Sequence, residues 1–309
     1  MADDKNKPAE NKKADNKKPE DKKAAKKKGG GKPDLASIGG VVIAFGGILG
    51  GLMLEGGKVT DVAQITAAFI VLGGTFGAVM ISMPLPIVLR ALKRFRDVFF
   101  DAAIEPHGVV DEIIGYATKA RKGGIVSLEA EAEQIKDPFL RKALNLAVDG
   151  TDLQELRKMM ELETSIEYER MEAEAKVYES AGGYSPTIGI IGAVLGLIQV
   201  MKHLSNIEEV GHGIAVAFVA TVYGVGAANI LLLPAATKIK ARAKRELEMR
   251  ELVVEGVVGI VEGLNPKLIR SKLEAWTGGP EVKKPAKEPD KKKKEQKVAG
   301  KAPAAPAAA

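Results

Sequence analysis

The chain has 309 residues, 46 of them basic and 40 acidic, and a formal net charge of +6. The excess sits at the ends: residues 1–33 carry 12 Lys against 6 acidic residues, 277–309 carry 9 against 4, and 34–276 is left near −5. A strongly basic folded face for nucleic acid is therefore excluded, and with zero Cys and three His there is no disulfide framework, no cysteine nucleophile and little to build a metal site from.

Residues 1–33 read as a disordered Lys-rich tail, with too little apolar area to offset the entropy of ordering. Clustered Lys beside a membrane segment is attracted to anionic lipid headgroups. No apolar core follows the Lys-rich stretch until Leu35 and no small-residue cleavage site is evident, so this is not a signal-peptide layout. Leu35–Leu54 is uncharged and Gly-rich, with Gly46-x-x-x-Gly50 and Gly47-x-x-x-Gly51, spacings that let helices approach closely in lipid. After a polar turn at 55–61, Val62–Leu89 is a second uncharged run, with Gly73-x-x-x-Gly77 inside it and Pro84 and Pro86 at its end. Two more runs follow, Ser180–Met201 and Val210–Thr237, free of charged residues apart from His212. Each run is long enough to span a bilayer as a helix, which takes about 20 apolar residues.

Arg90, Lys93, Arg94 and Arg96 follow the second run, and Lys238, Lys240, Arg242, Lys244 and Arg245 follow the fourth. The positive-inside rule then puts both tails and residues 90–179 in the cytoplasm, with the links at 55–61 and 202–212 outside. Between spans two and three, 111–121 reads as an amphipathic helix broken at Gly123-Gly124, Ser127 opens another, Asp137-Pro138 starts a third, and 153–179 is a charged helix leading toward the third span. Arg250–Leu273 reads as a last helix or helix pair, broken near Gly263 and Asn265-Pro266.

The fold class expected is all-α: a polytopic inner-membrane protein with four transmembrane helices and a helical cytoplasmic domain between helices 2 and 3. Its parts are a tail at 1–33, a hairpin at 34–89, a cytoplasmic domain at 90–179, a second hairpin at 180–237, C-terminal helices at 238–276 and a Lys/Pro/Ala-rich tail at 277–309.

No Walker loop, nucleophile elbow or His-x-x-x-His pair is present, so no enzyme, resident cofactor or metal is expected. An ion path has more behind it. Pro186 and Thr187 adjoin in the third span, and Thr221 and Pro234 lie in the fourth. Proline frees a backbone carbonyl and threonine adds a hydroxyl at membrane depth, where polar groups are tolerated beside a protein partner or a hydrated path. The alternative is that both threonines bond back to their own helix. No Asp or Glu lies within any span, so a conducting unit needs a partner that brings an intramembrane carboxylate.

Several stretches in order carry a family resemblance over most of 35–276: Leu54-Glu-Gly-Gly57, Gly73-Gly-Thr-Phe-Gly77, Pro84-Leu-Pro-x-x-Leu-Arg90, Arg121-x-x-Gly-x-x-x-Leu-Glu129, Pro186–Gly196, Ala220-Thr-Val-Tyr-Gly224 and Gly263-x-Asn265-Pro266. Together they resemble the MotA/PomA family of flagellar stator subunits, within the wider group that includes ExbB and TolQ. The resemblance implies a multi-pass inner-membrane subunit that couples ion flow to torque. It implies five copies around two copies of a MotB-like partner, whose single span carries an aspartate. Pro186 and Pro234 match the family's functional prolines, Thr221 and Thr187 its path-lining polar residues, and Arg121 and Glu129 the charged pair facing the rotor protein FliG, with Glu163 near a further acidic position. Sodium-type members tend to carry Thr where Ala193 stands, which favours protons, with sodium as the alternative. The competing readings are an ExbB/TolQ-like energiser, disfavoured by four spans and the 90–179 insertion, and a non-conducting membrane scaffold.

Overall fold

A computed structural model describes residues 32–101 and 105–277; nearly all of both Lys-rich tails lies outside them. The described chain is helical apart from a two-residue antiparallel pairing of Lys32–Pro33 with Phe100–Asp101. Four helical stretches are long and apolar enough to cross a membrane.

The first crossing helix, α1 (Leu35–Leu54), is capped by Asp34, whose carboxylate accepts from the amides of Ala36 and Ser37 at 3.1 and 3.2 Å. No residue of α1 is buried. The second, α2 (Ile65–Ser82), turns one stripe inward, Ala67, Val71, Thr75 and Val79. Spacing of four residues keeps that stripe on one face. The uncharged run continues to Leu89, yet α2 stops at Ser82. Met83 precedes Pro84 and is extended, at φ −139°, ψ 147°. The proline ring disfavours helical geometry in the residue before it. A new amphipathic helix, α3 (Leu85–Phe99), then begins.

The insertion builds α4 (Pro106–Gly123), a short α5 (Glu129–Ala132) and α6 (Pro138–Val148). Asp137 caps α6 through two 2.8 Å bonds to Phe139 and Leu140. The charged helix and the third span are one 50-residue helix, α7 (Leu153–Lys202). The fourth span is α8 (Ile207–Gly226), which passes through a π-helical segment (Ala227–Leu232) into α9 (Leu233–Val261); α10 (Pro266–Glu274) closes the fold.

Residues 238–261 are thus the continuation of the fourth span, and they join the insertion in one core. Ile113, Leu128, Leu140, Leu144, Leu156, Met160, Leu252, Val257, Ile269 and Leu273 are all buried in it. Gly256 is what allows the fit: a Cβ there would stand 2.8 Å from Ile113 Cγ2. The apolar cluster is therefore completed by two stretches of chain that the 180–237 hairpin separates in sequence, and α7 and α9 connect it to that hairpin.

Candidate ion path and charged surfaces

The contact between α7 and α8 is made of glycine. Gly182, Gly189 and Gly196 recur every seventh residue on α7, two helical turns apart, and all are buried. A Cβ on Gly189 would stand 2.9 Å from the Ala220 carbonyl oxygen. One on Gly196 would stand 2.8 Å from the Gly213 carbonyl and from the Ala217 nitrogen, and one on Gly224 2.6 Å from the Ser185 carbonyl. These are backbone atoms, so the two helices touch main chain to main chain. The same seam extends to α2, where a Cβ on Gly74 would meet Ile188 at 2.7 Å, while one on Gly192 would meet Ile70 at 3.3 Å. Tyr223 of α8 ties down the segment before α2, donating to the Val62 carbonyl at 2.6 Å and accepting from the Gln64 amide at 3.2 Å.

This seam fixes where the hydroxyls stand. Thr221 Cα lies 3.5 Å from the Cβ position of Gly189, only two residues beyond Thr187. The two threonines therefore sit within about 3 Å of the same height, at 1.5 Å rise per residue. Thr187 is exposed and Thr221 half-buried. Each donates to its own helix, Thr187 to the Tyr184 carbonyl at 2.7 Å and Thr221 to the Ala217 carbonyl at 3.2 Å. The back-bonded arrangement weighed from the sequence is the one present; it uses the hydroxyl hydrogen and leaves oxygen lone pairs able to accept. Ala193, half-buried, lies six residues further along α7, about 9 Å outward. Around Thr187 the uncovered face of the hairpin is apolar, with Ile190, Ile191, Val194, Phe218 and Val222 exposed.

Pro186 lies inside α7, adjoining Thr187. Pro234 is in the first turn of α9, immediately after the π segment, whose wider turn accommodates a residue without an N–H. Its neighbour Leu233 meets Gly182, so Pro234 stands about one turn from Pro186 along α7, on the Gly182 side. It lines a different space: a cavity of about 360 Å³ bounded by α1, α3 and α9, with Ser37, Phe95, Phe99 and Lys238 in its wall. The structure brings Pro186, Thr187 and Thr221 together and leaves Pro234 on the other side of the hairpin.

Of the charged residues singled out in the sequence, Arg121 and Glu129 flank one turn. Gly124 shapes that turn with φ +79°, a region open mainly to glycine. Both side chains are exposed and neither has an ion-pair partner among the described residues, whereas the adjacent Lys119 pairs with Glu131. Glu163 is in a different situation, paired with Lys142 of α6.

Sequence reasoning missed three ionic features. Glu174 of α7 is buried, its side chain 2% exposed, and receives Arg90 Nε at 3.2 Å, Arg94 Nε more closely, and Arg170 Nε at 3.7 Å. It joins α3 to α7 just before the apolar half of α7. Tyr178, one turn on, donates to the Ala91 carbonyl at 2.7 Å and stacks on Phe95 with centroids 5.7 Å apart. The available signal was the pair Arg90 and Arg94, one turn apart, with an acidic residue on the same four-residue stripe as Tyr178. Asp34 binds Lys238 and, at 3.5 Å, Arg242. The Lys238 ammonium bonded to it, helped by the Ser37 amide, holds its carboxyl below the usual carboxylate range. Beside the core that the insertion shares with α9, Lys272 at 2.5 Å and Arg157 at 3.0 Å similarly hold the Glu255 carboxyl down.

Two family signatures match the chain: the MotA/TolQ/ExbB proton channel family over residues 131–252 and the Motility protein A N-terminal region over residues 38–120. Motility protein A of Bacillus subtilis is 34% identical over 244 residues, 78% of this chain and 89% of the relative. Motility protein A of Helicobacter pylori is 33% identical over 251 residues, 81% and 98% of the respective chains. Among solved structures, the MotAB complex of C. jejuni superposes with a TM-score of 0.76 at 32% identity, over 82% of this chain and 98% of that one. The flagellar MotAB stator complex of Bacillus subtilis gives 0.72 at 35% identity, over 78% and 95%.

Proposed function

The chain belongs to the MotA/TolQ/ExbB proton channel family and is a flagellar motor stator subunit; from that premise we propose that it conducts protons past Pro186, Thr187 and Thr221, completed by a partner's carboxylate. The observation that carries this reading is the α7–α8 hairpin. Two threonines at one height adjoin a proline on an uncovered face, and no Asp or Glu lies within 180–201 or 210–237. An ion crossing lipid needs an ionisable or hydrated carrier. A MotB-like single-span protein with an intramembrane aspartate supplies it, in keeping with the MotAB complexes that this chain resembles.

The further parts of the reading follow from that assignment. The unit sits in the bacterial inner membrane with both termini cytoplasmic, its basic flanks on the inner side. Five copies surround two of the partner, and the exposed apolar faces of the hairpin are covered by neighbours, partner and lipid. Protons are favoured over sodium because Ala193 offers no oxygen ligand. Arg121 and Glu129, exposed and without ion partners among the described residues, are placed to meet FliG, where complementary charge sets register more than affinity. Glu163 contributes only if its pair with Lys142 opens.

The test is purification of the tagged chain in mild detergent, with its partners identified and counted by native mass spectrometry. A single-span protein with an intramembrane Asp, present in fewer copies than this chain, is the expected result. Recovery of the chain alone leaves the carboxylate without a supplier and overturns the conducting reading.

A further inference from the structure

Two hydroxyls in the membrane part of the fold behave unlike the others. Thr187, Thr221 and Thr237 each donate to a carbonyl three or four residues back, as does Ser82. Thr75 of α2 and Ser185 of α7 do not. They are 6% and 1% exposed, and neither Thr75 Oγ1 nor Ser185 Oγ has a hydrogen-bond partner among the described residues. A buried hydroxyl left unbonded in an apolar setting is costly, and native structures almost always resolve it with a partner or an ordered water.

The register of the seam brings the two together. Ile70 meets Gly192 and Gly74 meets Ile188. α2 and α7 run antiparallel, so residue 75 is level with 187, two residues from Ser185. That is an offset of about 3 Å along the helix axis. Both side chains are turned into the interior: Thr75 lies on the stripe with Val71 and Val79, and Ser185 lies between Gly182 and Gly189. A third polar group belongs to the same level. Pro186 has no N–H to return to the Gly182 carbonyl, and helix carbonyls point toward the C-terminus, here toward Ser185.

We propose that Thr75, Ser185 and the Gly182 carbonyl form a buried water-binding site in the seam of α2 and α7, behind Pro186. A water there takes the two hydroxyls as partners and donates to the carbonyl that the proline leaves free, meeting the two to four bonds that an internal water needs. The site is separate from the candidate path. Ser185 and Thr187 are two residues apart on a helix and point to opposite sides, one buried and one exposed. Its role is to satisfy the carbonyl that Pro186 leaves free without a direct helix-to-helix bond.

The test is a double-mutant cycle on the complete complex with its membrane partner, using Thr75→Val, Ser185→Ala and the pair, read by melting midpoint. It is joined to a cryo-EM map of the unmodified complex that resolves ordered waters. Bridging predicts that each single change lowers the midpoint by about 2–4 °C and that the double change costs no more than one single. It predicts a water peak within about 3.2 Å of both oxygens. Thr75→Ser should melt as the unmodified complex does. Midpoints that rise or stay level would mean the hydroxyls are true orphans. Additive losses, a fall with Thr75→Ser equal to that with Thr75→Val, or a map with no water or with the two hydroxyls bonded directly would each overturn the site.

Discussion

Two glycine-rich regions of this chain look alike in sequence and do opposite things. In α1, Gly46, Gly47, Gly50 and Gly51 have no atom within 4 Å of where a Cβ would stand. In the α7–α8 hairpin, Gly189, Gly196 and Gly224 would each drive a Cβ into the opposite backbone. The first set makes no close approach among the described residues, and no residue of α1 is buried. The second set is the joint that aligns Thr187 with Thr221. A small-residue spacing therefore states that a close approach is possible; the partner decides whether it is used.

The sharpest way to break the comparison is to fill one glycine in each region. Gly224→Leu must displace the Ser185 main chain, and we expect a loss of at least about 3 kcal/mol and no assembled complex by gel filtration. Gly47→Leu should leave the folded chain and its membrane insertion intact. If both variants assemble equally well, the seam is not where the fold is held.

Next in size is Glu174→Ala, about two turns before Gly182 on α7. It strands Arg90 and Arg94, whose side chains are 41 and 23% exposed, while Arg170 keeps Glu167 at 3.1 Å. Because the arginines reach water, the expected loss is about 2–3 kcal/mol, below that for a fully buried pair. Thermal melting of the purified complex checks it, and an unchanged midpoint would mean that α3 is held by Tyr178 and Phe95 alone.

Arg121→Glu probes the other end of α7's reach. The side chain is exposed and unpaired, so stability should stay within about 0.5 kcal/mol while motility is lost. A compensating charge reversal on FliG should restore swimming; failure of every reversal would argue against a direct charge contact.

The smallest effect belongs to Glu255. Its folded carboxyl titrates below the ordinary glutamate range, chiefly through Lys272 and then Arg157. Its contribution is therefore present above the unfolded value near 4.3 and fades as pH falls through the lower folded value. With partners partly in water, Glu255→Gln should cost less than about 1 kcal/mol at pH 7. The gap from the unmodified chain should close toward pH 3, and a gap that widens on acidification would reverse the assignment.

Much of this was legible beforehand because hydropathy and charge act locally. Four uncharged runs and the basic clusters behind the second and fourth sufficed for an all-α membrane fold. The end of α2 was not read, although Pro84 advertised it, because an uncharged run conceals a helix break. The union of residues 238–261 with the insertion was also hidden, since nothing local says that Gly256 meets Ile113. Proline and threonine at span depth picked out Pro186, Thr187, Thr221 and Pro234 as a set, with the resemblance added to it, and only the three-dimensional register separates Pro234 from the rest. Glu174 escaped because a carboxylate on a charged helix looks solvated until the arginines of another helix are found around it.

Proton flux bears most directly on the central claim. The chain and its single-span partner would be reconstituted in vesicles with an imposed pH gradient and a pH-sensitive dye. Thr221→Val would be compared with Thr164→Val, a buried cytoplasmic threonine that makes the same kind of back-bond, to Met160 at 2.8 Å. The account predicts that Thr221→Val loses most of the flux while Thr164→Val keeps it. Equal flux in Thr221→Val and the unmodified complex would contradict a path along this face of the hairpin.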